Sequence, residues 1–146
     1  MPPRSPVESH VEHVARLAEL VLVLDSGAVT RLAERSRSSV ALIQALRDED
    51  LWPPLVPSVV LVECLQGHAG RDASENRFLK TCEVVEEVSE QVARRAAFLR
   101  RRARRGSAVD ALVVASAEPD GVVLTSDPRD LEALASHAER VRIERI

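Results

Sequence analysis

The sequence predicts an α/β fold in which a central, mostly parallel β-sheet is flanked by α-helices. Two observations carry this expectation. The short runs "LVLVLD" (20–25) and "GVVLT" (121–125) are apolar without alternation, the pattern of strands buried on both faces. Between them lie segments with apolar residues at helical spacing, and strands that alternate with helices build parallel sheets. A chain of 146 residues, 45% hydrophobic and 29% charged, is long enough for one domain with a true core. It shows no internal repeat, low-complexity tract or second domain.

Residues 1–9 are rich in Pro and Ser and read as mobile. Ser9 is placed to cap a short helix with Val11, Val14, Leu17 and Ala18 on one face. His10 and His13 lie one turn apart there, a weak metal spacing, and with no other ligand near they read as surface residues. After the strand "LVLVLD" come two helical patterns, "SGAVTRLAER" and "SSVALIQALRDED". "WPPLVPS" makes a turn and a short strand. Ser58 then caps an expected helix "VVLVECLQG" closed by Gly67. "RDASENRFLKT" reads as a helix and "CEVVEEV" as a strand. Ser89 caps "EQVARRAAFLRRRARR", a helix expected to end at Gly106 with Val92, Ala96, Leu99 and Ala103 as its core stripe. Ser107 opens "AVDALVVASAE". "GVVLT" is a strand, "DPRDLEALASHA" a helix, and "RVRIERI" an alternating edge strand.

Composition narrows the function classes. The net charge of −3 argues against a general nucleic-acid coat. The aromatics are few (Phe78, Phe98 and Trp52, with no Tyr), which argues against a stacking platform for single strands. Lys80 is the one lysine, and seven arginines fall between Arg94 and Arg105, a local cluster able to hold phosphate. Cys64 and Cys82 form no C-x-x-C pattern and read as reduced thiols. No apolar run approaches the roughly 20 residues of a membrane span, and the start is too charged for a signal-peptide core. The expected location is cytoplasmic.

Four carboxylates stand out. Asp25 directly follows the first strand, and Glu63 follows the second by a few residues. Asp110 lies in the first turn of its helix, and Asp127 two residues beyond "GVVLT". In parallel α/β folds ligands bind outside the carboxyl ends of the strands, so all four can converge at one edge. Each also has a local reading. Asp25 can cap the following helix. Ser107 and Asp110 have the S-x-x-D form of a capping box. Asp127 before Pro128 has the form of an N-cap with Pro at the first helical position, and Asp130 places charge in the favourable first turn. Glu63, among Val59, Val60, Leu61, Val62 and Leu65, calls for a partner, and no Lys or Arg occurs from 48 to 70. Clustered carboxylates repel and take up protons unless a cation neutralises them. An all-oxygen set suits Mg²⁺ or Mn²⁺.

The segments "VLVLDSGAV", "PSVVLVECLQG", "GSAVDALVVASA" and "GVVLTSDPRDLEAL", in this order and spacing, resemble the four acidic motifs of PIN-domain nucleases. They are most similar to the VapC toxins of type II toxin–antitoxin systems. The resemblance runs from about Val21 to Ile146 and leaves residues 1–20 as an N-terminal extension that the family's pattern lacks. It implies a PIN-like fold and a Mg²⁺- or Mn²⁺-dependent endoribonuclease. Asp25 and Asp110 are implied as the principal metal ligands, Glu63 and Asp127 as completing the acidic cluster, and Ser26 and Thr125 as polar neighbours of the acids. It also implies a homodimer and a cognate VapB-like antitoxin that covers the active site.

Two competing classes remain on the sequence. One is a non-catalytic PIN-like module that binds RNA or protein. The other is a phosphoaspartyl protein, either a receiver domain or a haloacid-dehalogenase-like phosphatase, since both also place an Asp after the first strand. A haloacid-dehalogenase-like phosphatase needs a second Asp where this chain has Gly27, and Lys80 is poorly placed for either phosphoaspartyl family. For the nuclease, Arg94, Arg101, Arg102 and Arg105 on the arginine-rich helix are the expected RNA-phosphate contacts. A solvated helix face and an antitoxin contact are the other readings of that surface.

Overall fold

The computed structural model describes Val7 and residues 21–146. The expected helix after Ser9, with His10 and His13, lies outside the described residues. The chain forms a five-stranded, all-parallel sheet: β1 (Leu22–Leu24), β2 (Leu55–Pro57), β3 (Glu83–Val85), β4 (Val122–Thr125) and β5 (Arg142–Arg145). The strand order is β3-β2-β1-β4-β5. The helices are α1 (Ser26–Ala33), α2 (Arg37–Asp48), α3 (Leu61–Cys64), α4 (Ala73–Leu79), α5 (Glu90–Ala103), α6 (Ala108–Ala117) and α7 (Arg129–Ala135).

Apolar content sets which strands are central. β1 and β4 lie side by side in register, Leu22 opposite Val122 and Leu24 opposite Leu124, and every residue of both is buried. The strands at the two edges, β3 and β5, carry Glu and Arg and leave residues of both in solvent. The chain winds from β1 through β2 to β3 on one side, then returns to place β4 on the other side of β1. The order therefore reverses between β1 and β4, and this switch opens a crevice at their carboxyl ends. Helices pack over the sheet through Val29, Leu32, Leu46, Leu99, Val113, Val114 and Leu134, each under 2% exposed. The expected stripe of α5 is observed, with Ala96 and Leu99 buried and Val92 and Ala103 packed against the core.

Two expected elements differ. The helix 59–67 shrinks to a tight turn at Ser58–Val60 and the single turn of α3, with Leu65 already extended. Ser58 does not cap it, because its hydroxyl donates to the Glu86 carbonyl at 2.9 Å. The N–H groups of Gln66, Gly67 and His68, which a longer helix would use, donate instead to the carboxylate of Asp72 at 2.8–3.1 Å. The helix after Ser89 ends at Ala103 rather than Gly106, closed by Arg104 in the left-handed conformation (φ 55°). Gly106 has another role. At φ 91° its Cα faces Leu134, and an added Cβ would stand 2.7 Å from Leu134 Cδ1. The missing side chain lets the turn between α5 and α6 close onto α7. Cys64 and Cys82 are both free thiols.

Candidate active site

The switch between β1 and β4 is occupied by a carboxylate and a hydroxyl. Asp25 leaves β1 as the N-cap of α1, and its Oδ1 accepts the Ala28 N–H at 2.8 Å. Its Oδ2 accepts the hydroxyl of Thr125, the last residue of β4, at 2.5 Å. Thr125 is fully buried and Asp25 is 8% exposed. The Thr125 oxygen also receives the Asp127 N–H at 3.0 Å, which holds the loop after β4 against the same point.

Burial pushes the Asp25 carboxyl above the usual carboxylate range. The bonds from Thr125 and Ala28 oppose the rise, and the negative charges of Asp110 and Glu63 add to it. The structure thus brings Asp110 and Glu63 to within electrostatic reach of Asp25. Asp127, on the loop after β4, is exposed, and no protein group hydrogen-bonds its carboxylate among the described residues.

The local readings fare unequally. Asp25 does cap its helix. Ser107 and Asp110 form a complete capping box: Ser107 Oγ accepts the Asp110 N–H, and Asp110 Oδ2 accepts the Ser107 N–H, both at 3.0 Å. Asp127 is not a cap, since α7 starts from Pro128 with no side-chain cap bond. Glu63 is exposed on the short α3, so water solvates it and the expected need for a protein partner disappears. Crowding of charge is consequently costly at Asp25 alone, where the carboxylate is out of water. Ser26 makes no hydrogen bond to any of the acids among the described residues. It lines a shallow cleft of about 280 Å³ with Gly27, Arg31, Glu63 and Ser126. A Cβ on Gly27 would meet Ser126 Oγ and oblige that hydroxyl to turn away.

The donor set fits a hard divalent cation. It offers carboxylate oxygens only, and among the described residues no Lys or Arg forms an ion pair with Asp25, Glu63, Asp110 or Asp127. Each hydrogen-bonded carboxylate oxygen keeps a free lone-pair site. The acids do not make a closed cage, as no three ligating side chains stand at metal-binding separation among the described residues. Mg²⁺ does not demand one, because it keeps several waters and takes one or two protein carboxylates.

The arginine-rich helix divides. Arg94 pairs with Glu90 at 2.9 Å on its first turns, and Arg105 pairs with Asp130 at 2.7 Å. α5 and α6 are antiparallel neighbours, as the pairing of Arg95 with Glu118 at the far end of α6 requires. Arg94 therefore lies toward the end away from the carboxylates, and Arg101, Arg102 and Arg105 toward them. Sequence reasoning missed Asp72 and His137, both hidden inside patterns read simply as helix.

No protein-family model and no curated relative matches the chain. Among the described residues no helix is long and apolar enough to cross a membrane.

Proposed function

We propose that the protein is a metal-dependent endoribonuclease with a PIN-like fold, acting as the toxin of a VapBC-type toxin–antitoxin pair. The observation that carries the reading is the position of Asp25. It is a buried carboxylate with a raised pKa, at the switch point of a parallel sheet, within electrostatic reach of two further acids and with no basic partner among the described residues. Such a site gains most from a cation.

In this reading Asp25 and Asp110 hold Mg²⁺ or Mn²⁺, with Glu63 at the rim. The bound ion supplies an activated water at neutral pH and offsets the charge that develops on the phosphoryl oxygens. The chain's own residues do the remaining work. Thr125 fixes the Asp25 carboxylate by its hydroxyl and the Asp127 loop through the backbone. Asp127, whose carboxylate has no protein hydrogen bond among the described residues, orients the attacking water. The Ala28 N–H at the start of α1 and the Ser107 N–H at the start of α6 orient the Asp25 and Asp110 carboxylates. The resemblance to VapC toxins supports a homodimer and an antitoxin partner.

The purified protein is expected to cut single-stranded RNA with Mg²⁺ or Mn²⁺, to stop in EDTA, and to lose cleavage as Asp25→Asn or Asp110→Asn with its circular dichroism unchanged. Cleavage at wild-type rate by both variants would falsify the site. A second reading, a non-catalytic PIN-like binding module, draws support from the capping duties of Asp25 and Asp110, which give both acids a structural reason to be present. RNA binding without metal-dependent cleavage would select it.

A further inference from the structure

Arg100 aside, whose Nε donates to the Gly106 carbonyl at 3.3 Å, the arginines of α5 and its C-terminal turn fall into two groups. Arg94, Arg95 and Arg105 are matched with Glu90, Glu118 and Asp130. Arg101, Arg102 and Arg104 have no acidic partner among the described residues, and they line one cleft of about 460 Å³ with His137. No carboxylate lines it among the described residues. Three unmatched guanidiniums and an imidazole offer donors and no anionic acceptor, which is the chemistry of a site for phosphate oxygens.

The matched arginines build this cleft. Arg105 ties the end of α5 to Asp130 in the first turn of α7 at 2.7 Å. Arg95 grips Glu118 with two nitrogens, and its Nη2 donates to the His137 carbonyl at 3.4 Å. Leu134 is seated against Gly106 between these ties. The two walls, α5 and α7, are therefore fixed before any ligand arrives, and the unmatched arginines are left on a preformed surface. α7 begins two residues after Asp127 and has seven residues, so it spans about 10 Å at the helical rise of 1.5 Å per residue. The cleft thus lies a few nucleotides' reach from the carboxylates.

We propose that Arg101, Arg102, Arg104 and His137 form a backbone-phosphate site for single-stranded RNA, which seats the strand a few nucleotides away from the bond at the carboxylate edge. The site reads phosphate rather than base, so it sets affinity and register and leaves sequence choice to other contacts. Its link to a cut bond rests on the nuclease reading; its binding of RNA does not.

The probe is a fluorescein-labelled 12-nucleotide oligouridylate, titrated by anisotropy in EDTA so that no cleavage intervenes. The triple variant Arg101→Ala, Arg102→Ala, Arg104→Ala is expected to bind at least tenfold more weakly. Its plot of log K against log salt should be shallower by about 2, since each single-strand phosphate that is no longer neutralised lowers the slope by roughly 0.7. The variant Arg140→Ala removes a positive charge that is already paired with Asp120, and is expected to bind like wild type. With metal, the triple variant should raise KM and leave kcat unchanged, the mark of binding shared by ground and transition states. Unchanged affinity of the triple variant, or equal weakening in both variants, overturns the site. Arginine-dependent RNA binding by a protein that never cuts RNA supports the cleft and retires the nuclease. Cleavage with the triple variant's affinity intact does the reverse.

Discussion

Thr125 and Asp25, a hundred residues apart, share a hydrogen bond at the place where the order of the sheet reverses. The hydroxyl joins the ends of β1 and β4 and fixes the carboxylate on which the site depends. Thr125→Val keeps the side-chain shape and removes that donor, and it also deprives the Asp127 N–H of its acceptor. The expected loss is about 1–3 kcal/mol, the usual cost of an unsatisfied buried polar group. Urea unfolding measures it, and Thr125→Ser should recover most of both stability and activity.

Asp25 trades stability for charge. Burial raises its pKa in the folded chain, with Asp110 and Glu63 adding to the rise, so the folded state holds the proton more tightly than the unfolded state. The associated stability is fully present below the ordinary carboxyl value near about 4 and is lost as pH rises through the folded pKa. Asp25→Asn retains the cap, since Asn caps as well as Asp, and lacks this loss. In EDTA at pH 7 the variant is expected to melt higher than wild type by roughly 2–4 °C. Added Mg²⁺ should raise the wild-type Tm and leave that of the variant in place. A variant that melts lower at pH 7 contradicts the account.

Asp72 has the opposite sign. The N–H groups of Gln66, His68 and Gly67 hold its carboxyl below the usual range. Its contribution is present above the ordinary value near about 4 and is lost as pH falls through the lowered folded pKa. Asp72→Ala should speed amide hydrogen exchange at residues 66–68 and slacken the loop behind Glu63, with a smaller fall in cleavage than Asp25→Asn causes. Exchange rates at those three amides that match wild type would remove Asp72 from the account.

Gly106→Ala tests the closure of α5 and α6 onto α7. The new Cβ meets Leu134, which is fully buried, and the backbone sits at a φ that L side chains rarely adopt. Overpacking of this kind costs about 1–3 kcal/mol. Calorimetry should show a lower Tm with an unchanged far-ultraviolet spectrum.

The parallel α/β layout was legible because the strands that became central are apolar throughout, while Glu83 and Arg142 mark the edges. Asp25, Asp110 and Thr125 were legible because each lies at a strand end or a helix start, where position follows from the local pattern. Glu63 was harder. Its apolar neighbours imitate a longer helix, and only the distant acceptors Glu86 and Asp72 break that pattern. The arginine helix was read correctly for its buried stripe, but not for which arginines remain unmatched. That depends on Glu90, Glu118 and Asp130, and on whether the fold brings each within reach.

The capping bonds of Asp25 and Asp110 bear on how this site would age in descendants of the protein. A lineage that no longer cut RNA would still be selected to start α1 and α6 properly, and would tend to keep both acids for that reason alone. Glu63 and Asp127 have no such second employment: one is solvated on a single helical turn, and the other caps nothing. They are the positions free to drift once catalysis ceases, and so the ones whose presence in a related chain is informative about activity.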